Sequence, residues 1–425
     1  MGRRAALGID VGTSSVKASL LRETGEVVAA GSAPYPTEHP QEGWSEQDPS
    51  RWWAAVGEAV GRVMQGRDRD DVVVGLTGQM HTSVIADAAG EVLRPAPLWS
   101  DRRSAGAVAR LAAAHPEIAA ITGNALIPAF SLAHLAWIAE HEPETFARIA
   151  SVTVPKDHLR RRLGAGETTE PSDASAMALL DYRTDRWAAE IADLIGLPVS
   201  ALPDVVPSHE VTGEIGAVPP GAESMRGARV VGGAGDQAAQ AVALGVTAPG
   251  ALGLSLGTSG VAFQSLAEPR PQSFRHAYPR TWLALNSMHA AGLALSWWAG
   301  LTGIPVADLS AGAEHRTDVP TFLPYLQGHR GTQGAPGSLI DLDSRHDAYD
   351  IARAIMEGVA AELVALADSV GGGTGDEVVY LGGGGGRSAV WRQIVADAFG
   401  RPVAFSDRDS SFGAALIAAE TDGWA

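Results

Sequence analysis

The sequence predicts an α/β protein of two domains, and three stretches carry that prediction. Gly8-Ile9-Asp10-Val11-Gly12-Thr13-Ser14-Ser15-Val16-Lys17 brings a carboxylate to the end of an apolar run (Ala5 to Ile9). A tight loop of glycine and small hydroxyl residues follows, and then a second apolar run, Val16 to Leu21. Leu252-Gly253-Leu254-Ser255-Leu256-Gly257-Thr258-Ser259-Gly260-Val261-Ala262-Phe263 repeats the order strand, Gly-Thr-Ser, strand in the other half of the chain. Leu381-Gly382-Gly383-Gly384-Gly385-Gly386-Arg387-Ser388 ends the run Glu377 to Leu381 and opens a helix from Ser388. Short apolar runs joined by a small-residue loop form hairpins. Small residues let the loop backbone approach a ligand, and its successive N–H groups make a concave anion nest. An acid beside such a nest suits a metal-bound phosphate. A tight hairpin with a capping Asp has the same local wording, so a single copy decides little; the second copy favours phosphate.

Composition sets the outer limits. A chain of 425 residues has room for two or three domains with real cores. A net charge of −17 opposes binding to nucleic acid or to an anionic membrane. The Arg160-Arg161-Arg162 run is expected to be a solvated helix face. With no cysteine, disulfides, a thiolate nucleophile and Cys-based metal sites are excluded. Asp10 interrupts the apolar run after Arg3-Arg4, leaving no export signal, and no run has transmembrane length. The expectation is a soluble cytoplasmic protein. Only two lysines occur, Lys17 and Lys156. A lysine kept behind the first hairpin of an Arg-rich chain hints at a role for a compact ammonium there.

Along the chain, Glu23-Thr24-Gly25 turns into Glu26 to Ala30, and Pro34 to Pro40 is a connector. After Trp44-Ser45-Glu46-Gln47-Asp48-Pro49, Ser50 is expected to cap a helix from Arg51 to Gln65. Asp71 to Leu76 is a β-rich run leading into Thr77-Gly78-Gln79-Met80-His81, the kind of strand end where open α/β sheets place ligands. A structural histidine fits there too. Asp101, in Leu98-Trp99-Ser100-Asp101-Arg102-Arg103, can either accept from ligand hydroxyls or cap the helix running to Ala114. In Arg229-Val230-Val231-Gly232-Gly233-Ala234-Gly235-Asp236-Gln237 a buried strand ends in small residues and Asp236 opens an Ala-rich helix through Leu244; taken alone, that acid reads as a cap. Thr247 to Gly250 is the expected domain boundary, and Ile351 to Val370 a long helix.

Two Gly-Thr-Ser hairpins, one per half, with a late Gly-rich turn resemble the actin/hexokinase-type ATPase plan. Within it, the segments from Gly8 to Ala418 resemble the FGGY family of carbohydrate kinases, its xylulokinase branch most closely. The resemblance implies an α/β, two-domain actin/hexokinase-like (ribonuclease H-like) ATPase fold with an interdomain cleft, domain 1–246 carrying the sugar site and domain 247–425 the nucleotide. It implies ATP and a small sugar as substrates, Mg2+ as cofactor, and no nucleic acid or membrane partner; a homodimer is compatible with it. Asp236 then becomes the catalytic base and Asp10 its partner acid, both facing the metal. Gly12, Thr13, Ser14, Ser15, Lys17, Gly257, Thr258, Ser259, Gly382, Gly383, Gly384 and Arg387 take the nucleotide. Gln79, Met80, His81, Trp99, Asp101, Asp236 and Gln237 take the sugar, with Glu170-Pro171-Ser172-Asp173-Ala174-Ser175 closing the pocket. Lys156-Asp157 is expected to be structural. The Gln-Met-His triplet points to D-xylulose, since glycerol kinases carry Arg-Glu there. Three departures stand against the pattern: Gln237 for the usual Asn, His329 for the usual Glu, and an end soon after Phe412-Gly413-Ala414-Ala415, where relatives continue with a segment returning to the first domain.

Competing functions fit poorly. Gly253-Leu254-Ser255-Leu256-Gly257 spells a hydrolase elbow, but a strand-like run follows the serine where the elbow needs a helix. No Gly-Lys pair exists for a P-loop, no His-Glu-x-x-His occurs, and Asp341 and Asp343 lack the rest of a calcium loop. A kinase for ribulose, erythrulose or glycerol stays open, as does an ATP-binding sugar sensor, although a sensor has no need of a base at Asp236.

Overall fold

A computed structural model describes residues 4–66, 71–326, 328, 336–373, 378–421 and 423; His329 and Glu377 lie outside them. The chain forms two units, Met1–Ala243 with Pro269–Trp282 and Ser410–Ala425, and Leu244–Glu268 with Leu283–Asp409.

In the first unit, β1 (Arg4–Val11), β2 (Ser15–Arg22) and β3 (Val27–Pro34) form an antiparallel meander. Helix α1 (Pro49–Met64) buries Trp52, Val56, Val60 and Val63 against it. It starts two residues earlier than expected. Asp48, not Ser50, is the cap: its carboxylate accepts from the Ser50 N–H at 2.8 Å, and Pro49 fits the first helical position, where no N–H is needed. Strand β4 (Asp71–Gly78) pairs parallel with β1 and is buried almost throughout, as an apolar run in a covered parallel position should be. Beyond four further helices described between Ala105 and Phe146, α2 (Pro155–Leu163) and the short α3 (Pro171–Ser175) bear on the site. Strands β5 (Val211–Glu214) and β6 (Arg229–Val231) complete the order β5–β6–β4–β1–β2–β3. The short β7 (Ala234–Gly235) pairs with the last residues of β4, and α4 (Asp236–Leu244) begins at once.

The second unit repeats the motif. β8 (Leu252–Leu256) and β9 (Gly260–Leu266) form the second Gly-Thr-Ser hairpin, flanked by β10 (Trp282–Met288) and α5 (Gly292–Thr302). Ser255 therefore sits inside an antiparallel strand, which disposes of the nucleophile elbow. Helix α6 (Ala348–Val370) opens with a capping box of Asp347 and Asp350. β11 (Val379–Gly382), α7 (Ala389–Phe399), capped by the Ser388 side chain, and β12 (Val403–Phe405) follow, and the strand order runs β10–β9–β8–β11–β12.

The last helix, α8 (Ser410–Glu420), belongs to the first unit and not to a domain 247–425. Glycine makes this docking possible. A Cβ at Gly8 of β1 would lie 1.8 Å from the Ser411 carbonyl oxygen, and one at Gly75 of β4 would lie 1.9 Å from that of Ala414. Gly413 of α8 in turn lets the Ala239 carbonyl of α4 approach. Among the described residues, no helix is long and apolar enough to cross a membrane.

Gly8→Ala should therefore push α8 off the sheet. Overpacking of this kind costs roughly 1–3 kcal/mol, more where backbone must move. A urea midpoint matching the parent would show that α8 is not seated through Gly8.

Candidate functional site

Parallel pairing decides which residues meet. Asp10 is opposite Thr77, and Val11 opposite Gly78, while Gly235 pairs with the same Gly78 from the other side. The chain ends of β1, β4 and β7 are thus side by side. They carry Asp10, the turn Gln79-Met80-His81, and Asp236. Asp10 is 5 % exposed, and Ser410 at the start of α8 donates to its Oδ2 at 2.6 Å. Asp236 keeps access to solvent but lies deep among protein atoms. Burial, and then the negative charge of Asp10, push its carboxyl up to about 7; hydrogen bonds from Gln237 only partly oppose this.

The turn after β4 holds its backbone in a strained conformation. His81 has φ 70°, and the Thr82 N–H donates to the Met80 carbonyl at 2.8 Å, so His81 is the centre of a γ-turn. Such a conformation costs about 1–3 kcal/mol in a residue with a side chain. The imidazole is held by the Ala176 carbonyl at 2.7 Å and by the rings of Phe130 and Phe274. Met80 lies against Gly235, where a Cβ would come within 2.8 Å of its Cγ, so glycine is what lets Asp236 follow so closely. The Trp99 indole, 37 % exposed, donates to Thr13 Oγ1 at 3.0 Å.

Two residues expected to touch sugar face inward instead. Gln79 is 1 % exposed and its Nε2 donates to Gln47 Oε1 at 3.0 Å. Asp101, also 1 % exposed, accepts from the Ser45 N–H at 2.7 Å and from the Arg103 guanidinium at 2.9 and 2.7 Å. It does not cap the helix, which begins at Ala105. Asp101 is thus satisfied within the protein, whereas the Gln79 Oε1 is buried without a hydrogen-bond partner among the described residues. Lys17 is exposed and lies in register opposite Asp10.

Behind Gly235 lies a charge cluster with no solvent. Ser172 Oγ accepts from the Gly235 N–H at 2.9 Å, and Glu170 caps α3 through the N–H groups of Ser172 and Asp173. Lys156 Nζ is fully buried, 2.7 Å from Asp157, 3.2 Å from Asp173 and 3.6 Å from Glu170. Arg160 joins Asp157 and is fully buried too, contrary to the expected solvated face. Burial alone would depress the Lys156 ammonium, yet the three carboxylates hold it above its ordinary value. Burial raises Asp173 well above the usual carboxylate range despite Lys156.

The second unit carries its own half of the expected residues. Thr258 and Ser259 are exposed at the tip of the β8–β9 hairpin, and Gly384 and Arg387 are exposed after β11. A Cβ at Gly384 would meet nothing within 4 Å, so neither packing nor a positive φ requires glycine there.

Comparison with known proteins decides the family. Residues 5–243 match the N-terminal domain of the FGGY family of carbohydrate kinases, and residues 252–421 its C-terminal domain. The chain belongs to this family. The xylulose kinase of Escherichia coli (strain K12) is 37% identical over 430 residues, covering 97% of this chain and 89% of that protein. The crystal structure of xylulose kinase from Rhodospirillum rubrum, 31% identical, superimposes with a TM-score of 0.87 over 98% of this chain and 89% of that one. A Plasmodium falciparum glycerol kinase with ADP, 21% identical with a TM-score of 0.87, shares the fold. The protein is thus a carbohydrate kinase with ATP as a substrate, on the two-domain α/β FGGY fold.

Within this FGGY kinase, Tyr35, Gln47 and Ser410 escaped sequence reasoning. Tyr35 and Gln47 hydrogen-bond the first hairpin from behind, and Ser410 reaches Asp10 from 400 residues away. Gln47 lies in a stretch that reads as helix entry, and nothing in the neighbourhood of Ser410 signals its partner.

The raised carboxyl of Asp236 has a cost that depends on pH. Near pH 4 and below, folded and unfolded states both hold its proton. Between about 4 and about 7 only the unfolded state releases it, so stability falls across that window and stays low above it. Asp236→Asn should therefore melt above the parent at pH 8 and level with it at about pH 4. Equal melting at both pH values would place Asp236 in an ordinary aqueous setting.

Proposed function

We propose that this kinase transfers the γ-phosphoryl group of ATP to the primary hydroxyl of a ketopentose, D-xylulose to D-xylulose 5-phosphate. The observation that carries this is the meeting of Asp236, poised near neutral pH, with the Met80-His81 turn at adjoining strand ends. The names of the 31–37% identical relatives support the choice of sugar.

The steps follow from the groups present. Asp236 accepts the proton of the sugar hydroxyl as that oxygen forms its bond to the γ-phosphorus; the bond to the β-bridging oxygen breaks and ADP leaves. A base whose pKa lies near the working pH contributes typically ~10²–10⁴-fold. Met80 and His81 shape the sugar pocket, Trp99 borders it, and Gln237 beside the base binds hydroxyls. The Gly12–Ser15 loop, through the N–H groups of Thr13 and Ser14, and the Gly257–Ser259 loop, through those of Thr258 and Ser259, take phosphate oxygens; Lys17 supplies positive charge near the first hairpin, and Gly382 to Gly384 with Arg387 flank the adenosine. Mg2+ fits the donor set at the strand ends: Asp10 and Asp236 are hard oxygen donors whose mutual repulsion a cation would relieve. Mg2+ usually keeps several waters and binds through one or two carboxylates together with substrate phosphates. When bound, it would neutralise phosphate charge as the leaving group departs. The absence of cysteine fits a cytoplasmic setting for this chemistry.

Release of ADP from Mg-ATP should be stimulated by D-xylulose well above L-xylulose, the ribuloses, erythrulose, erythritol and glycerol. Asp236→Asn should bind ATP normally and lose at least ~10²-fold in turnover. Stimulation by another polyol alone would move the substrate and assign that change to Gln237; turnover by Asp236→Asn near the parent rate would remove the base.

A further inference from the structure

The first hairpin is held open from behind by two side chains. The Tyr35 hydroxyl donates to the Gly12 carbonyl, and Gln47 Nε2 donates to the Thr13 carbonyl at 2.7 Å. The next two carbonyls are also engaged, Ser14 by the Tyr35 N–H at 3.1 Å and Ser15 by the Gly12 N–H at 3.2 Å. In a trans peptide the carbonyl and the following N–H point in opposite directions, and no cis peptide occurs among the described residues. Drawing the Gly12 and Thr13 carbonyls inward therefore turns the Thr13 and Ser14 N–H groups outward, where neither donates to another described group.

The second hairpin does the same by other means. Its Gly257 carbonyl accepts from the Gly292 N–H at 2.8 Å, and its Thr258 carbonyl from the N–H groups of Ala291 and Leu293 at 3.0 and 3.1 Å. There the start of α5 supplies the donors, and Gly292 permits the approach, since a Cβ would lie 2.6 Å from the Gly257 oxygen. The equivalent carbonyls are thus withdrawn in both hairpins, by backbone in one and by side chains in the other.

We propose that Tyr35 and Gln47 are positioning residues of the phosphate site, which hold the Gly12 and Thr13 carbonyls back so that the Thr13 and Ser14 N–H groups form a ready-made anion nest. This rests on phosphate oxygens of ATP lying on the hairpin, as proposed above. Without the tether a carbonyl can turn its lone pairs toward the phosphate, and the nest must be rebuilt at each binding event. Gln47 is suited to the task because its amide is fully used: it also donates to Thr37 Oγ1 at 2.9 Å and accepts from Gln79 and Trp52, each at 3.0 Å. That places Gln79, expected to touch sugar, two hydrogen bonds from the first hairpin, by way of Gln47. Tyr35 stays a donor at any working pH, since burial, and then Asp10, raise its hydroxyl pKa.

Tyr35→Phe removes the donor and keeps the ring. The dissociation constant of the ATP analogue AMP-PNP should rise about tenfold, the size of one hydrogen bond to a group that otherwise turns against the ligand. The KM for sugar should stay within about twofold and the unliganded melting temperature should not move. Unchanged AMP-PNP binding would overturn the proposal, and so would a loss of nucleotide affinity, sugar affinity and melting temperature together, which is what a merely structural tyrosine would produce. The amide resonances of Thr13 and Ser14 separate the two levels. If they do not shift when AMP-PNP is added to the parent, the hairpin is not the phosphate site and both readings fall. If they shift equally in parent and Tyr35→Phe, only the tether falls.

Discussion

Two carboxylates, Asp10 and Asp236, are pinned at adjoining strand ends, where burial and then their mutual repulsion set the chemistry of the site. The pairing of β1 and of β7 with β4 leaves Asp10 and Asp236 no freedom to move apart. Burial then removes the water that would screen them, and the weaker acid gives way by holding its proton to about pH 7. For a structural residue this would be a defect. For a base that must take a proton from a sugar hydroxyl, it is a useful setting, and the stability given up at Asp236 has to be recovered elsewhere. The docking of α8 through Gly8, Gly75 and Gly413 is one source, and the buried ion-pair cluster around Lys156 is another restraint on the same strand end.

The two hairpins show how one requirement is met by unrelated parts. Each loop offers outward N–H groups only if its carbonyls are occupied behind it. The second hairpin uses the first turn of a helix, which always has unpaired N–H groups to give. The first has no helix there, and a tyrosine hydroxyl and a glutamine amide stand in. Side-chain tethers can be removed one donor at a time, whereas the backbone tether changes only where a residue such as Gly292 is replaced and the chain itself must shift. The first hairpin is therefore the one whose carbonyls an experimenter can release by changing side chains alone.

Much of this was legible in the sequence because it is local. A run of apolar residues, a Gly-Thr-Ser loop and a second run spell a hairpin wherever they occur, and Asp10, Asp236 and the turn after β4 were placed at strand ends by the same kind of signal. What could not be read depends on partners far along the chain. Asp101 is spelled the same whether its oxygens face a ligand or Arg103, and only the fold shows the guanidinium. Arg160 sits in a run of three arginines that reads as solvated, until Asp157 and the Gly232 carbonyl are found beside it in the interior. The return of α8 to the first unit is hidden for another reason: its signal is the absence of side chains at Gly8 and Gly75, some 340 to 400 residues from the helix they accept. Tyr35 and Gln47 act on carbonyls, which every residue has, so no local wording betrays them.

The most direct measurement is the titration of the Asp236 carboxyl itself, followed by carbon-13 NMR in the parent and in Asp10→Asn without ligands. A midpoint near 7 in the parent that falls in Asp10→Asn, yet stays above the ordinary aspartate value because burial is the larger cause, is the predicted result. A midpoint near 4 in the parent, unmoved by loss of the Asp10 charge, would contradict the claim that burial and the Asp10 charge at these strand ends raise the Asp236 carboxyl.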